Sequence, residues 1–185
     1  MSKKNILILP GDEVGPEITT EVIKILDFFN ESKMTDITYE FGDIGGASLD
    51  KYNKPITDET LERARKSDAV LLASVGTPKY DHNIRDLKPE YGLLVLRKYL
   101  NLFINIRPIF VFNTLLDYSS IKPDLINDLD IVIIRELIGD VYFGEPRGFK
   151  DVNGDRVGYN TMLYSESEVQ RITKFAIDIS IKRNK

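Results

Sequence analysis

A chain of 185 residues with a hydrophobic fraction of 42% can build one good-sized core or two small domains sharing a crevice, and it is too apolar to be a disordered tail. A net charge of -4 and a pI near 5.2 exclude a general nucleic-acid binder, which needs a basic surface to displace counterions from phosphates. The lack of cysteine excludes disulfides, thiolate zinc sites and cysteine nucleophiles, so any metal would need oxygen ligands.

The start, Met-Ser-Lys-Lys-Asn, leads into an apolar run at 6–9 that is too short for a signal-peptide core or a bilayer crossing, so a cytoplasmic protein with no membrane partner is expected. That run reads as a strand. After Pro10 and the turn Gly-Asp-Glu-Val-Gly-Pro-Glu at 11–17 comes a helix with apolar positions Ile18, Val22, Ile25, Leu26 and Phe29, and Pro16 suits its first turn. Such a turn can aim backbone amides at an anion or a cofactor phosphate, although many strand-to-helix turns with Gly and Pro hold no ligand. Residues 37–41 alternate as a strand and are stopped by Gly42, Gly45 and Gly46. Thr57 can cap a helix with acids in its first turn and bases in its last, and 69–73 is a continuous apolar run. Strands of this kind, separated by helices and buried on both faces, predict an α/β domain with a largely parallel sheet. The polar loop Ser-Val-Gly-Thr-Pro-Lys-Tyr-Asp-His-Asn at 74–83 falls where open sheets bind ligands. His82, the only histidine, lies among Asp81 and Asn83 with no triad or metal cluster nearby and is given no role.

The stretch 90–108 sets Arg97 and Arg107 inside otherwise apolar sequence, and Arg135 repeats that setting in Asp-Ile-Val-Ile-Ile-Arg-Glu-Leu. An arginine cannot shed its charge, and its planar fork suits a carboxylate or phosphate. Each could instead pair internally with an acid such as Glu90, Glu136 or Glu145. Beyond Leu102 the alternation of elements gives way to longer strands at 102–112, 131–136 and 141–144, which places a boundary near Asn101 and domains at 1–101 and 102–185. Asn153-Gly154 signals a hairpin within 149–164, a ribbon with little core of its own. The box Ser165-Glu-Ser-Glu168 opens a helix with Val169, Ile172, Phe175, Ala176 and Ile179 on one face, and Lys182, Arg183 and Lys185 complement its carbonyl end.

The motifs at 9–17, 74–81, 92–98 (Gly-Leu-Leu-Val-Leu-Arg-Lys), 106–108 (Ile-Arg-Pro), 135–148 and 164–169 occur together and in order. With them the chain resembles, essentially from end to end, the N-terminal half of the isopropylmalate branch of the β-decarboxylating hydroxyacid dehydrogenases, the family that also includes isocitrate dehydrogenase. The resemblance implies a truncated two-domain fold: a largely parallel sheet in the first domain, and a mixed sheet plus a hairpin arm in the second. It implies oxidation of an Mg2+- or Mn2+-bound 2-hydroxy acid by hydride transfer to NAD and loss of the β-carboxylate, in leucine biosynthesis, by a homodimer. Isocitrate, homoisocitrate and tartrate are the alternative substrates, and a non-catalytic remnant or a diacid-binding, dimerising module is the alternative role.

By position Arg97, Arg107 and Arg135 match the family's carboxylate-binding arginines, which would answer the two carboxylates of the diacid. Tyr142 matches its proton-transferring tyrosine, and a phenol beside a cation gives up its proton more readily. Leu93 and Leu94 match the contacts to the isopropyl group, worth roughly 1–3 kcal/mol of discrimination, though both could be ordinary core. Glu90 and the loop Thr77, Pro78 and Lys79 match the segment beside nicotinamide and ribose, and the turn at 11–17 borders the cofactor cleft. Two departures bear on that approach: Glu13 and Thr77 stand where the family commonly has glycine. The metal-binding aspartates, the catalytic lysine and the adenosine loop belong to a half that lies beyond this sequence, so no metal ligands are expected here, Lys185 is not that lysine, and the chain alone should not turn over.

Overall fold

A computed structural model describes residues 3–183, so the expectation for Lys185 lies outside the described residues. The chain divides into two compact units, 1–101 and 102–185.

In the first unit the apolar run at the start becomes β1 (Lys4–Gly11), which pairs in parallel with β2 (Ile37–Phe41) on one side and β3 (Ala69–Ser74) on the other. The central strand is the buried one: Leu7, Ile8 and Leu9 are wholly inaccessible, as a strand covered on both faces requires. β3, expected to be buried on both faces, is only half-buried. Its position at the edge of the order β2-β1-β3 explains this, because only one side of the strand has a neighbour.

Helices α1 (Gly15–Glu31), α2 (Gly46–Tyr52), α3 (Asp58–Lys66) and α4 (Pro89–Tyr99) complete the unit. Pro16 lies in the first turn of α1, and Thr57 caps α3 by accepting the Thr60 amide at 3.2 Å, as expected. The apolar face of α1 is displaced from the expected one. Thr19, Val22, Ile23, Leu26 and Phe29 turn inward, whereas Ile18 and Ile25 are exposed together with Phe28. The glycines at 42–46 do more than end β2. Gly45 takes φ 72° and opens α2, a helix that its short, polar sequence conceals. The core joins Leu7, Leu9, Ile44, Ile56, Leu61, Ala64 and Leu96.

In the second unit β4 (Ile104–Phe110) pairs antiparallel with β5 (Asp130–Glu136), and β6 (Gly148–Val152) pairs antiparallel with β7 (Asp155–Tyr159). Both pairings in this unit are antiparallel, where a mixed sheet was expected: among the described residues no third strand joins either pair. The ribbon turns at Asn153-Gly154, both in the left-handed region, and stops at Tyr159. Residues 160–164, expected within the arm, instead run back along the 139–146 segment: Thr161 Oγ1 donates to the Pro146 carbonyl at 2.7 Å, and the Asp140 amide donates to the Leu163 carbonyl at 3.0 Å.

The strand expected at 141–144 is a turn. Residues 140–142 form a single 3-10 turn in which Asp140 has φ 65°, and the amides of Phe143 and Gly144 both donate to the Asp140 carbonyl. Those bonds close the backbone on itself and leave nothing for a ladder. A short helix, α5 (Pro123–Ile126), precedes β5.

The C-terminal helix α6 (Glu166–Lys182) starts at the expected capping box: Ser165 Oγ accepts the Glu168 amide, and the Glu168 carboxylate accepts the Ser165 amide at 2.7 Å. Arg171 bonds Glu136 at 2.8 Å and Arg183 bonds Asp130 at 2.5 Å. Twelve helical residues rise about 18 Å and six strand residues about 20 Å, so these two pairs lay α6 antiparallel along β5. Arg183 thus does more than complement the helix end, since it fastens the helix to the strand.

Candidate functional site

In the first unit four of the expected site residues share one stripe of α4. Pro89, Gly92 and Leu96 are buried, and Gly92 is held so close to the Pro55 carbonyl that a Cβ there would overlap it. A second stripe, Glu90, Leu93, Leu94 and Arg97, follows the i, i+3, i+4, i+7 spacing of one helix face and stays outside the core cluster. Leu93 and Leu94 are half-buried, so they are not the ordinary core that the other stripe supplies. The helix thereby lines up an acid, two branched apolar side chains and a guanidinium, with the acid at its N-terminal end and the cation in its last turn, where the helix dipole favours each.

The loop after β3 meets the start of this stripe. Gly76 has φ 128°, and a Cβ built on it would stand 2.9 Å from the Glu90 carboxylate, so Glu90 lies directly over the backbone of the loop. Thr77 is extended, with φ -150°, and its Oγ1 caps the 3-10 turn 78–80. A glycine is therefore not needed at 77, and that departure leaves the backbone unstrained. Glu13 is different. It has φ 52°, the left-handed region that glycine enters without cost. Lys79 is bonded to Asp50, which also accepts the Tyr80 hydroxyl at 2.5 Å, and these two bonds hold the Asp50 carboxyl below its ordinary range. Lys79 is thus braced by Asp50.

Asp12 was missed as an individual residue. It is 6% exposed, and its carboxylate accepts the amides of Gly46, Ala47 and Gly76, each at 2.9 Å. Its own amide donates to the Ser74 carbonyl at 2.8 Å. The turn at 11–17 therefore supplies a carboxylate to the amides of two neighbouring segments. A lone acid between a helix-breaking Gly and a Pro turn carries no sequence signal for this; only the glycines at 45, 46 and 76, which leave room for it, hint at the arrangement.

In the second unit the register of β4 and β5 sets Asn105 opposite Arg135 and Arg107 opposite Ile133. Directly opposed residues share a face, so Arg107, Asn105 and Arg135 lie together, the two arginines in diagonal positions about 7–8 Å apart. Asn105 Oδ1 accepts Arg107 Nε at 2.5 Å. Arg135 Nη2 donates to the Tyr142 hydroxyl at 2.5 Å, and its guanidinium lies 5.6 Å from the centre of the Tyr142 ring. Two of the three expected arginines and the expected tyrosine are thus brought together, with Asn105 as an addition that two-residue alternation with Arg107 could have revealed. Arg97 belongs to the first unit.

The internal alternatives for the arginines are resolved in part. Glu136 pairs with Arg171 and Glu145 with Arg147, so neither acid is the partner of Arg107 or Arg135. Glu136 also accepts the amides of Ile138 and Gly139 at 2.9 and 2.7 Å, which fixes the start of the turn that carries Tyr142. A cavity of about 320 Å3 beside that turn is lined by Ile138, Asp140, Phe143, Leu163 and Tyr164, and burial with the Asp140 carboxylate pushes the Tyr164 hydroxyl above its ordinary range. A cavity of about 580 Å3 in the first unit, lined by Lys4, Asp36 and Asp68, lies at the end of that unit's sheet opposite the 11–17 and 74–77 loops.

The sequence model of the isocitrate/isopropylmalate dehydrogenases matches residues 5–185. The chain belongs to that family. Among curated relatives, the 3-isopropylmalate dehydrogenases of Pseudomonas syringae pv. syringae and Thiobacillus denitrificans are each 51% identical, over 98% and 97% of this chain. The chain spans about half, 51%, of the length of each. A β-decarboxylating dehydrogenase from Thermococcus kodakarensis superposes with a TM-score of 0.64 at 28% identity, over 98% of this chain and 46% of that one. Isocitrate dehydrogenase from Methylococcus capsulatus, at 22% identity, shares the fold with a TM-score of 0.76 over 98% of this chain and 49% of its own.

Two groups implied by the family fit differently. Among the described residues no cluster of three or more acids or histidines could hold a metal ion, so no step is assigned to a metal on this chain. A dinucleotide fits better, since Glu90 is exposed over a glycine backbone and its carboxylate can accept ribose hydroxyls. Among the described residues no helix is long and apolar enough to cross a membrane.

Proposed function

We propose that this chain supplies the substrate-orienting part of an NAD-dependent 3-isopropylmalate dehydrogenase. The single observation that carries the reading is the Arg135–Tyr142 bond on the strand face shared with Arg107. Two fixed cations on one rigid ribbon can clamp a carboxylate of the diacid, and Arg97 takes part from α4. A phenol held by a guanidinium at hydrogen-bond distance is placed to give or take a proton at the carbon that loses carbon dioxide. Leu93 and Leu94 receive the branched alkyl group, which favours isopropylmalate over isocitrate, homoisocitrate or tartrate. Thr77, Pro78, Lys79 and Glu90 border the nicotinamide ribose. NAD supplies the hydride acceptor; the metal carboxylates and the lysine come from a C-terminal half. The setting is leucine biosynthesis in the cytoplasm, by a homodimer.

The test is to combine the chain with the matching C-terminal half of a curated relative and to follow NADH formation from 3-isopropylmalate, NAD and Mg2+. Turnover that fails with isocitrate and tartrate supports the reading. No NADH from an assembly verified by sedimentation overturns it. The second reading, a diacid-binding module without turnover, is favoured by the completeness of the Arg107–Asn105–Arg135–Tyr142 group within one unit. Sub-millimolar binding of isopropylmalate to the 185-residue chain, with no turnover in the assembly, would support it.

A further inference from the structure

The loop 74–77 is not held by regular secondary structure: β3 ends at Ser74, Gly76 has φ 128°, and the next turn begins at Pro78. What it has instead is Asp12. One buried carboxylate gathers the amide of Gly76 from this loop and the amides of Gly46 and Ala47 from the start of α2. The backbone of the same residue bonds Ser74 on one side and Gly15 on the other, the latter at 2.8 Å. Three segments far apart in sequence, the 11–17 turn, the start of α2 and the 74–77 loop, thus meet at one residue.

The surroundings are shaped for it. At Gly45 a Cβ would collide with the Asp12 carboxylate, and at Gly46 it would stand 3.0 Å from Asp12 Oδ1 and 2.7 Å from Thr77 Cγ2. An ionised carboxylate is purely an acceptor and can serve three amides, whereas an asparagine has one acceptor oxygen and would turn N–H groups against N–H groups. Glu90 lies over Gly76 on the far side of the loop. Moving Gly76 therefore moves Thr77 to Lys79 relative to Glu90.

We propose that Asp12 is a positioning residue that sets the 74–77 loop against Glu90 for dinucleotide binding without itself touching the dinucleotide. The inference rests on the reading of Thr77, Pro78, Lys79 and Glu90 as the nicotinamide-ribose border.

The test compares Asp12→Asn with the parent 185-residue chain by amide exchange and by NAD titration, both read by NMR. Exchange at Gly46, Ala47 and Gly76 should accelerate by about 10-fold or more, the change expected for losing one charge-assisted bond, while Leu7 to Leu9 keep their protection. The NAD-dependent shifts of Thr77 and Lys79 should need about 10-fold more ligand. Asp12→Glu, which keeps the charge but displaces the carboxylate from the three amides by one methylene, should give the same local pattern and serves where Asp12→Asn does not fold. Parent-like exchange and parent-like NAD shifts in either folded variant overturn the inference. A parent chain whose Thr77 and Lys79 resonances ignore NAD overturns the dinucleotide reading itself, which is a different result.

Discussion

Glu136 is the most informative single residue to remove from the second unit. Its side chain is 9% exposed and accepts three bonds, from the amides of Ile138 and Gly139 and from Arg171, whose guanidinium also stacks on Phe103 at 4.4 Å. Glu136→Ala leaves Arg171 half-buried beside two orphaned amides. Removing one partner of a buried pair costs about 3–5 kcal/mol, and the lower end applies because Glu168, 3.8 Å from Arg171, takes up part of the charge. The expected loss is thus about 3 kcal/mol, with Glu136→Gln losing less because it keeps an acceptor. Urea denaturation should be followed through amide resonances of β5, since two compact units need not unfold together. The same change should loosen the 137–142 turn and broaden the Tyr142 resonances. A loss below about 1 kcal/mol, typical of an exposed pair, would refute the idea that this carboxylate holds the turn and α6 to the strand.

The other expectations concern strain, chemistry and acid. Glu13→Gly should raise stability by about 0.5–1 kcal/mol, because relief of a left-handed non-glycine residue outweighs the added freedom of the unfolded chain; a lower melting temperature would contradict this. In an assembly with a C-terminal half, Tyr142→Phe should lower kcat by about 10²-fold or more with little change in KM. Arg135→Lys should mainly raise KM, since an ammonium cannot reproduce the fork; the opposite split would exchange their roles. The bonds from the Ser165 backbone and hydroxyl, with Arg171 nearby, hold the Glu168 carboxyl below its ordinary 4.5. The unfolded chain therefore binds that proton more readily, so this contribution is present above pH 4.5 and fades as pH falls below it. Replacing Glu168 by Gln should flatten the pH dependence of stability there, which denaturation at a series of acidic pH values measures.

What could be read from sequence was whatever local chemistry decides. The capping box at Ser165, the Thr57 cap and the Asn153-Gly154 turn each follow from a few adjacent residues, and each lies where expected. The errors arose where pairing partners decide. β3 has the apolar run of a fully buried strand but sits at an edge, and the sequence 141–144 looks extended until the left-handed Asp140 closes it into a turn. α1 carries two apolar stripes, and nothing in their spacing says which of them meets the sheet.

The site divides along the same line. Arg107 and Arg135 stand out because charge in apolar strands needs a reason, and Tyr142 is legible only through the family resemblance; their supports carry neither signal. Asn105 reaches Arg107 through strand alternation, whereas Asp12 and Glu136 act by accepting backbone amides, and an amide has no side chain to betray it. In each unit a carboxylate, buried at Asp12 and partly buried at Glu136, bonds the loop that carries a candidate functional group, Thr77 to Lys79 in one and Tyr142 in the other. Loops can be placed this way because each amide bonded to a carboxylate is withheld from water at little cost, and the loop then has one position where it would otherwise have many. The groups proposed to meet ligand could thus remain on exposed loops while their geometry is fixed from beneath.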